Sequence, residues 1–78
     1  MEELNDKDFA KMFEKHIKML RKRHELSQSE LARRAELEKT AIQRIERGYN
    51  STLKTLRKIA KGFDISLSDL FKLNERKA

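Results

Sequence analysis

Residues 27–48, near the middle of the chain, predict two short amphipathic helices joined by a tight turn. Ser27, followed three positions later by Glu30, fits a capping box, which marks the start of the first helix. Gly48 follows a charged run and suits the left-handed residue that ends the second helix. Both helices can pack on one side, because their apolar residues recur at helical spacing: Leu31, Ala32, Ala35, Leu37, Ala41, Ile42 and Ile45.

This packing leaves a polar face on the second helix of the pair. A protruding helix with such a face, on a basic domain, is suited to a DNA groove. The residues expected to face outward are Lys39, Thr40, Gln43, Arg44 and Arg47.

The rest of the chain also reads as helical, because it has no proline, only two glycines and no strand-like alternation. Asn5 or Asp6 is a plausible cap for the first helix and Thr52 for the fourth, which Gly62 is expected to end. Ser66 with Asp69 suggests a second capping box. The predicted helices span residues 6–24, 28–35, 39–47, 53–61 and 67–73 of a single domain, 1–78.

The apolar stripes of the outer helices predict their buried faces. In the first helix, Phe9, Phe13, Ile17 and Leu20 are interpreted as core rather than as a ligand pocket. His16 and His24 lie too far apart for a one-turn metal pair and are expected at the surface or its edge. The fourth helix is expected to point these residues inward: Leu53, Leu56, Ile59 and Ala60.

Composition narrows the function classes. Seventy-eight residues allow one modest core, and the net charge of +6 favours a polyanionic partner, although it also keeps a small protein soluble. Without cysteine there is no disulfide or thiolate metal site. The acidic start is unlike a signal peptide, and no apolar run approaches the roughly 20 residues of a membrane span. A soluble, intracellular protein is therefore expected.

Residues 17–71 closely resemble the Cro/C1-type helix-turn-helix family of phage repressors and bacterial regulators, also called the xenobiotic-response-element family. The resemblance implies an all-α, five-helix, lambda-repressor-like DNA-binding domain, here with an N-terminally extended first helix. The residues that carry it are Leu20, Arg21, Leu26, Ser27, Gln28, Glu30, Leu31, Ala32, Ile42, Ile45, Glu46, Arg47, Gly48, Leu53, Thr55, Leu56, Lys58, Ile59, Ala60, Ile65, Ser66, Leu67, Leu70 and Phe71.

The resemblance also implies roles for individual residues. Lys39, Thr40 and Gln43 would read base edges, by donating to guanine, offering a methyl to thymine and pairing with adenine. Glu38 departs from the family pattern, in which serine or threonine usually caps this helix, but its carboxylate could accept from cytosine. Gln28, at the start of the second helix, would meet a backbone phosphate. Further backbone contacts would come from Arg44, Arg47, Asn50, Ser51 and Lys54.

Two structural features follow from the same resemblance. Arg21 and Glu46 match a largely buried ion pair that ties the first helix to the end of the third. Glu36 and Glu25 stand where glycine is usual, and a left-handed glutamate would cost on the order of 1 kcal/mol.

A homodimer is expected, because the short fifth helix carries more apolar residues than its own packing needs. The alternative interface is the extended first helix, through Leu4, Phe9 and Met12. No cofactor is expected, and the resemblance implies a cytoplasmic protein of bacterial or phage origin. The C-terminal interface would comprise Ile65, Leu67, Leu70, Phe71 and Leu73.

Three functions from different classes remain open. The favoured one is a sequence-specific transcriptional regulator, a repressor that binds a palindromic operator in double-stranded DNA as a homodimer. The alternative is an antitoxin-type module that binds a small protein partner and also regulates its own gene. An enzyme is disfavoured, because the sequence offers no phosphate-binding loop, metal constellation or convergent acid–base set.

Overall fold

The computed structural model describes residues 5–49 and 51–72, and those residues form helices without any strand. The expected all-α fold is confirmed. Three residues named above, Leu4, Asn50 and Leu73, lie outside the described residues. The five helices are α1 (Asp6–Arg23), α2 (Gln28–Ala35), α3 (Lys39–Ile45), α4 (Leu53–Phe63) and α5 (Leu67–Leu70).

The start of α2 is set by its own sequence. The Ser27 hydroxyl accepts a hydrogen bond from the Glu30 backbone N–H at 3.0 Å, and the Glu30 carboxylate accepts one from the Ser27 N–H at 2.9 Å. This reciprocal pair is the predicted capping box, and it satisfies two N–H groups that a helix start leaves without partners. The helix therefore begins where the sequence indicated.

Single side chains cap three other helices. The Asn5 side chain accepts from the Asp8 N–H at the start of α1, and the Thr52 hydroxyl accepts from the Thr55 N–H at the start of α4. The Ser66 hydroxyl accepts from the Asp69 N–H at the start of α5, without the reciprocal bond to the Asp69 side chain, so the second capping box expected there is wrong. Each cap satisfies a backbone N–H in the first turn of its helix, so the start of each helix is set by its own sequence.

Two turns contain left-handed glutamates. Glu25, between α1 and α2, has φ 56°, and Glu36, which ends α2, has φ 59°. Both positions were expected to suit glycine. Because glutamate has a Cβ, each of these residues carries the steric cost of the left-handed region. Gly48, after α3, is left-handed at φ 88° as expected.

The C-terminal end of α4 differs from the prediction. Gly62 lies inside the helix, which continues to Phe63 and ends at the left-handed Asp64, with φ 61°. A Cβ on Gly62 would lie 3.1 Å from the Ala35 Cβ and 3.2 Å from the Ala35 backbone nitrogen. The glycine therefore permits close approach of α4 to α2 rather than a helix stop, and the expectation that it ends α4 is wrong.

One core contains side chains from every helix. Leu53 is not part of it, because this side chain is 62% exposed at the start of α4, so the expectation that it points inward is wrong. The largest fully buried side chains are Ile17, Leu31, Ile42, Ile59, Phe63 and Leu70.

Burial of Leu70 corrects part of the expected dimer interface. Its side chain has no exposed surface and packs in the core of its own chain. Leu70 therefore has no surface to offer a partner.

His16 is buried, which overturns the expectation that it lies at the surface. Its Nε2 lies 2.9 Å from the Leu70 carbonyl oxygen and joins α1 to α5. A carbonyl only accepts, so Nε2 carries a hydrogen. The buried Nδ1 has no hydrogen-bond partner among the described residues. Loss of solvation lowers the pKa of His16 despite the Leu70 carbonyl, and the charge of Arg23 lowers it further.

Within the described ranges, no helix has the length and apolar character needed to cross a membrane. The same residues contain no group of three or more His, Cys, Asp or Glu side chains that could hold a metal ion.

Candidate nucleic-acid interface

The free face of α3 is defined by what its other face buries. Ile42 and Ile45 lie in the core, and Ala41 is half-buried. Their burial fixes the rotation of the helix, because residues three and four positions apart share one side. The opposite side is polar, with Gln43 half-buried and the remaining side chains exposed: Lys39, Thr40, Arg44 and, just beyond the helix, Arg47.

Glu38 occupies the N-cap of α3 but does not cap it. Its backbone is extended, with φ −76° and ψ 149°, and its side chain accepts no capping hydrogen bond. The exposed carboxylate is therefore not committed to the helix that it precedes. It lies next to Lys39, at the end of α3 that carries the expected base-reading residues.

Arg21 and Glu46, the residues expected to pair, form a two-pronged ion pair. Arg21 Nε donates to Glu46 Oε2 at 2.8 Å, and Arg21 Nη2 donates to Glu46 Oε1 at 3.0 Å. The side chains are 17% and 3% exposed, respectively. The hydrogen bonds that Arg21 donates to Glu46 raise the pKa of Arg21, and this outweighs the opposing effect of burial.

The ion pair extends to the start of α2, which the sequence did not indicate. Arg21 Nη1 donates to the Leu26 carbonyl at 3.1 Å. Gln28 Nε2 donates to Glu46 Oε1 at 3.0 Å. We call Arg21, Glu46 and Gln28 the polar triad; Glu46 is buried, and Arg21 and Gln28 are half-buried. It joins the end of α1, the first residue of α2 and the residue that follows α3.

This arrangement changes the interpretation of Gln28. Its side chain was expected to meet a phosphate directly, whereas one of its two N–H groups is already bound within the protein. Only one N–H of that amide nitrogen remains for an external acceptor. The motif residues Leu26 and Gln28 were visible in the sequence, but nothing in the local pattern revealed their contacts with Arg21 and Glu46.

The ring of Tyr49, which follows α3 in the chain, contacts the guanidinium group of Arg44. The Arg44 guanidinium carbon lies 5.6 Å from the centre of the Tyr49 ring, which is the distance of a cation–π contact. The Tyr49 backbone N–H also donates to the Arg44 carbonyl at 3.0 Å. Tyr49 therefore restricts Arg44. Nearby, Ser51 is half-buried, and Lys54 is exposed in the first turn of α4.

A second surface consists of stacked phenylalanines. The rings of Phe9 and Phe13 lie 6.2 Å apart, and those of Phe13 and Phe71 lie 5.7 Å apart. Phe71 is 40% exposed, and Phe9 is 42% exposed, so the expectation that Phe9 lies in the core is wrong. They border an open groove of about 200 Å³, here called the aromatic groove, whose wall also contains Ala10, Tyr49 and Leu56.

The aromatic groove contains residues from both of the dimer interfaces that the sequence analysis treated as alternatives. Phe71 was assigned to the C-terminal interface and Phe9 to the alternative interface on the first helix. Phe13 stacks against both rings, so they form one continuous apolar face.

Comparison with known proteins agrees with this geometry. A helix-turn-helix family model, HTH_3, matches residues 17–70. No curated protein matches the chain. The fold and the exposed face of α3 thus define the class of helix-turn-helix DNA-binding transcription regulators, and the chain belongs to the HTH_3 family. The resemblance to Cro/C1-type regulators is confirmed.

Two restriction-modification controller proteins of known structure are similar over most of their length. The restriction-modification controller protein C.AhdI from Aeromonas hydrophila is 31% identical, with a TM-score of 0.77 over 82% of this chain and 98% of that protein. The wild-type controller protein C.Esp1396I is 33% identical, with a TM-score of 0.71 over 80% and 82%.

A larger regulator shares the same domain. An HTH_3 family transcriptional regulator from Vibrio cholerae is 35% identical, with a TM-score of 0.78. The match covers 86% of this chain but only 38% of that one.

Proposed function

We propose that this protein is a sequence-specific repressor that binds palindromic double-stranded DNA as a homodimer, with α3 in the major groove. The observation that carries the proposal is the polar face of α3, held outward by buried Ile42 and Ile45. The two controller proteins match over most of their length, which supports a role in controlling a restriction-modification or comparable gene set.

Base reading is assigned to the start and middle of α3. Lys39 and Thr40 are exposed, and Gln43 lies on the same side as both, at four- and three-residue spacing. Lysine donates to guanine, the threonine methyl packs on that of thymine, and glutamine pairs with adenine. Glu38 is assigned as a fourth reader, since its side chain makes no capping hydrogen bond and its carboxylate can accept from cytosine.

Backbone contacts are assigned to the polar and cationic groups around this face. Arg44, restrained by Tyr49, and Arg47 lie at the end of α3. Ser51 and Lys54 come from the loop before α4 and from its first turn. Such contacts raise the affinity for all sequences and weaken with salt. Asn50, expected in this group, lies outside the described residues.

The aromatic groove is assigned to a second copy of the chain. Its exposed phenylalanines come from α1 and from the end of α5, and Ile65 and Leu67 are half-buried nearby in the chain. A two-fold dimer would place two copies of α3 about 34–36 Å apart, facing successive major grooves. This assignment retains Phe71 from the expected interface and excludes Leu70.

The base-reading assignment is tested with DNA selected from a random pool. Gln43→Ala is expected to lose roughly 1–3 kcal/mol of discrimination at one base pair. Arg47→Ala, the matched control, should weaken binding to selected and scrambled DNA alike and reduce the salt slope by about one. Equal loss on both DNAs for Gln43→Ala would show that Gln43 does not read a base.

The dimer assignment is tested by sedimentation. Phe71→Glu and Phe9→Glu should both yield monomers, because each places a charge on the aromatic groove. Leu53→Glu is the control, since Leu53 is an exposed leucine outside the groove. A wild-type protein that stays monomeric at high concentration would refute the dimer. Co-purification of such a monomer with a small protein would instead support the antitoxin-type function.

A further inference from the structure

We propose that Glu46 is a positioning residue for backbone recognition: its buried carboxylate fixes the Gln28 amide so that one N–H of Gln28 stays available to a DNA phosphate. Glu46 itself touches no DNA in this arrangement. The proposal rests on the proposed DNA binding and adds a residue that acts through the protein interior.

The chemistry of the contact determines how the amide is oriented. An ionised carboxylate only accepts hydrogen bonds, so the nitrogen of the Gln28 amide, and not its oxygen, must face Glu46. The 3.0 Å contact from Nε2 to Oε1 uses one of the two hydrogens on that nitrogen. The second hydrogen is left for an acceptor outside the protein, and a phosphate oxygen is such an acceptor.

Arg21 makes Glu46 a fixed anchor. Arg21 donates one hydrogen bond to each carboxylate oxygen of Glu46, and the Glu46 side chain is almost fully buried. A free glutamine side chain would lose rotamer freedom on binding a phosphate. Gln28 has lost much of that freedom before DNA arrives, so the contact is preorganised.

The position of Gln28 in the chain also puts its side chain close to backbone hydrogen-bond donors. Gln28 is the first residue of α2, and the first i−4 hydrogen bond of this helix is donated by the Leu31 N–H to the Ser27 carbonyl. The N–H groups of residues 28 and 29 precede that bond and point out of the helix start. The Gln28 side chain therefore adds a donor where backbone donors and the helix dipole already favour an anion.

The triad also couples the phosphate contact to the base-reading helix. Glu46 directly follows α3 and caps its C-terminal end through its backbone N–H, which donates to the Ile42 carbonyl at 3.0 Å. A phosphate held by Gln28 is thereby connected through one carboxylate to the end of α3. The backbone contact then helps to set the orientation from which α3 enters the groove.

A double-mutant cycle on DNA affinity tests the proposal. Gln28→Ala should weaken binding by about tenfold in the wild-type background, the effect expected of one hydrogen bond to a charged group. In a Glu46→Leu background the same change should weaken binding by less than about twofold, because leucine offers no oxygen to accept the hydrogen bond that holds the amide. Circular dichroism is recorded for each variant at the temperature of the assay, to establish that it is folded.

Lys54→Ala is the matched control, because Lys54 is an expected phosphate contact on α4 and takes no part in the triad. Its effect should be equal in the two backgrounds. Equal loss for Gln28→Ala in both backgrounds would overturn the positioning role while leaving DNA binding intact. Absence of any binding by the wild-type protein would instead refute the proposed function, so the two failures are distinguishable.

A measurement on the wild-type protein tests the proposal even if the Glu46→Leu variant does not fold. Nitrogen relaxation of the glutamine side-chain amides, in the absence of DNA, reports directly on how firmly each is held. The Gln28 amide should be as rigid as the backbone of α2, whereas that of Gln43 should be mobile. Equal mobility of the two amides would overturn the proposal.

Discussion

Replacing Arg21 by methionine should destabilise the domain more than replacing Glu46 by leucine. The reason is the difference in exposure of the two side chains, 17% for Arg21 and 3% for Glu46. Without Glu46, the guanidinium can turn toward water. Without Arg21, an almost fully buried carboxylate keeps only the Gln28 amide as a side-chain partner among the described residues.

The size of the effect follows from the burial. Removing one partner of a buried ion pair costs about 3–5 kcal/mol, and Arg21→Met is expected near the upper limit and Glu46→Leu near the lower. A domain of 78 residues has a total stability of about 4–12 kcal/mol at typical values per residue. Arg21→Met should therefore remove at least a third of the stability.

The double variant, Arg21→Met with Glu46→Leu, should recover to within about 2 kcal/mol of the wild type, because a buried ion pair can be replaced by apolar side chains at little cost. Urea unfolding of the four proteins, analysed with a common slope, measures each free energy of unfolding. Additive effects of less than about 1 kcal/mol would refute the reasoning, since they are the mark of a solvent-exposed pair.

Three further predictions concern single positions. Glu36→Gly should raise stability by up to about 1 kcal/mol in thermal unfolding, since relief of the left-handed strain exceeds the added freedom of the unfolded chain. Gly62→Ala should lower it by about 1 kcal/mol, because overpacking against Ala35 outweighs the gain in helix propensity. Stability should fall as the pH drops below the ordinary His pKa of 6.5, because His16 has a lowered pKa when folded and the unfolded chain binds the proton more readily. This loss should be smaller in His16→Gln, and an equal slope in both proteins would exclude His16 as the cause.

The parts of the fold that were predictable depend on contacts close in sequence. Ser27 and Glu30 specify the start of α2 within a single turn, and the bounds predicted for that helix are confirmed. The alternation of Ile42 and Ile45 with polar residues likewise gave the outward face of α3. Both patterns involve residues close in sequence, so they can be recognised without knowing how the rest of the molecule folds.

The parts that were not predictable depend on distant contacts. Gly62 looks like a helix stop until α2 is seen packed against it. His16 looks like a surface residue because the carbonyl that receives its hydrogen bond is 54 positions away. In the candidate site, the outward residues of α3 were predictable from spacing, whereas the bond between Gln28 and Glu46 was not, because a side-chain contact between separate helices leaves no periodic signal.

The contact between α1 and α5 has a consequence for synthesis of the chain. Translation produces Phe13 and His16 early, but their partners Phe71 and Leu70 are added only after all four longer helices. Until then the growing polypeptide keeps apolar rings of α1 uncovered, a state that favours association with other chains or with chaperones. A chain truncated shortly before residue 70 should therefore aggregate more readily than the full-length protein.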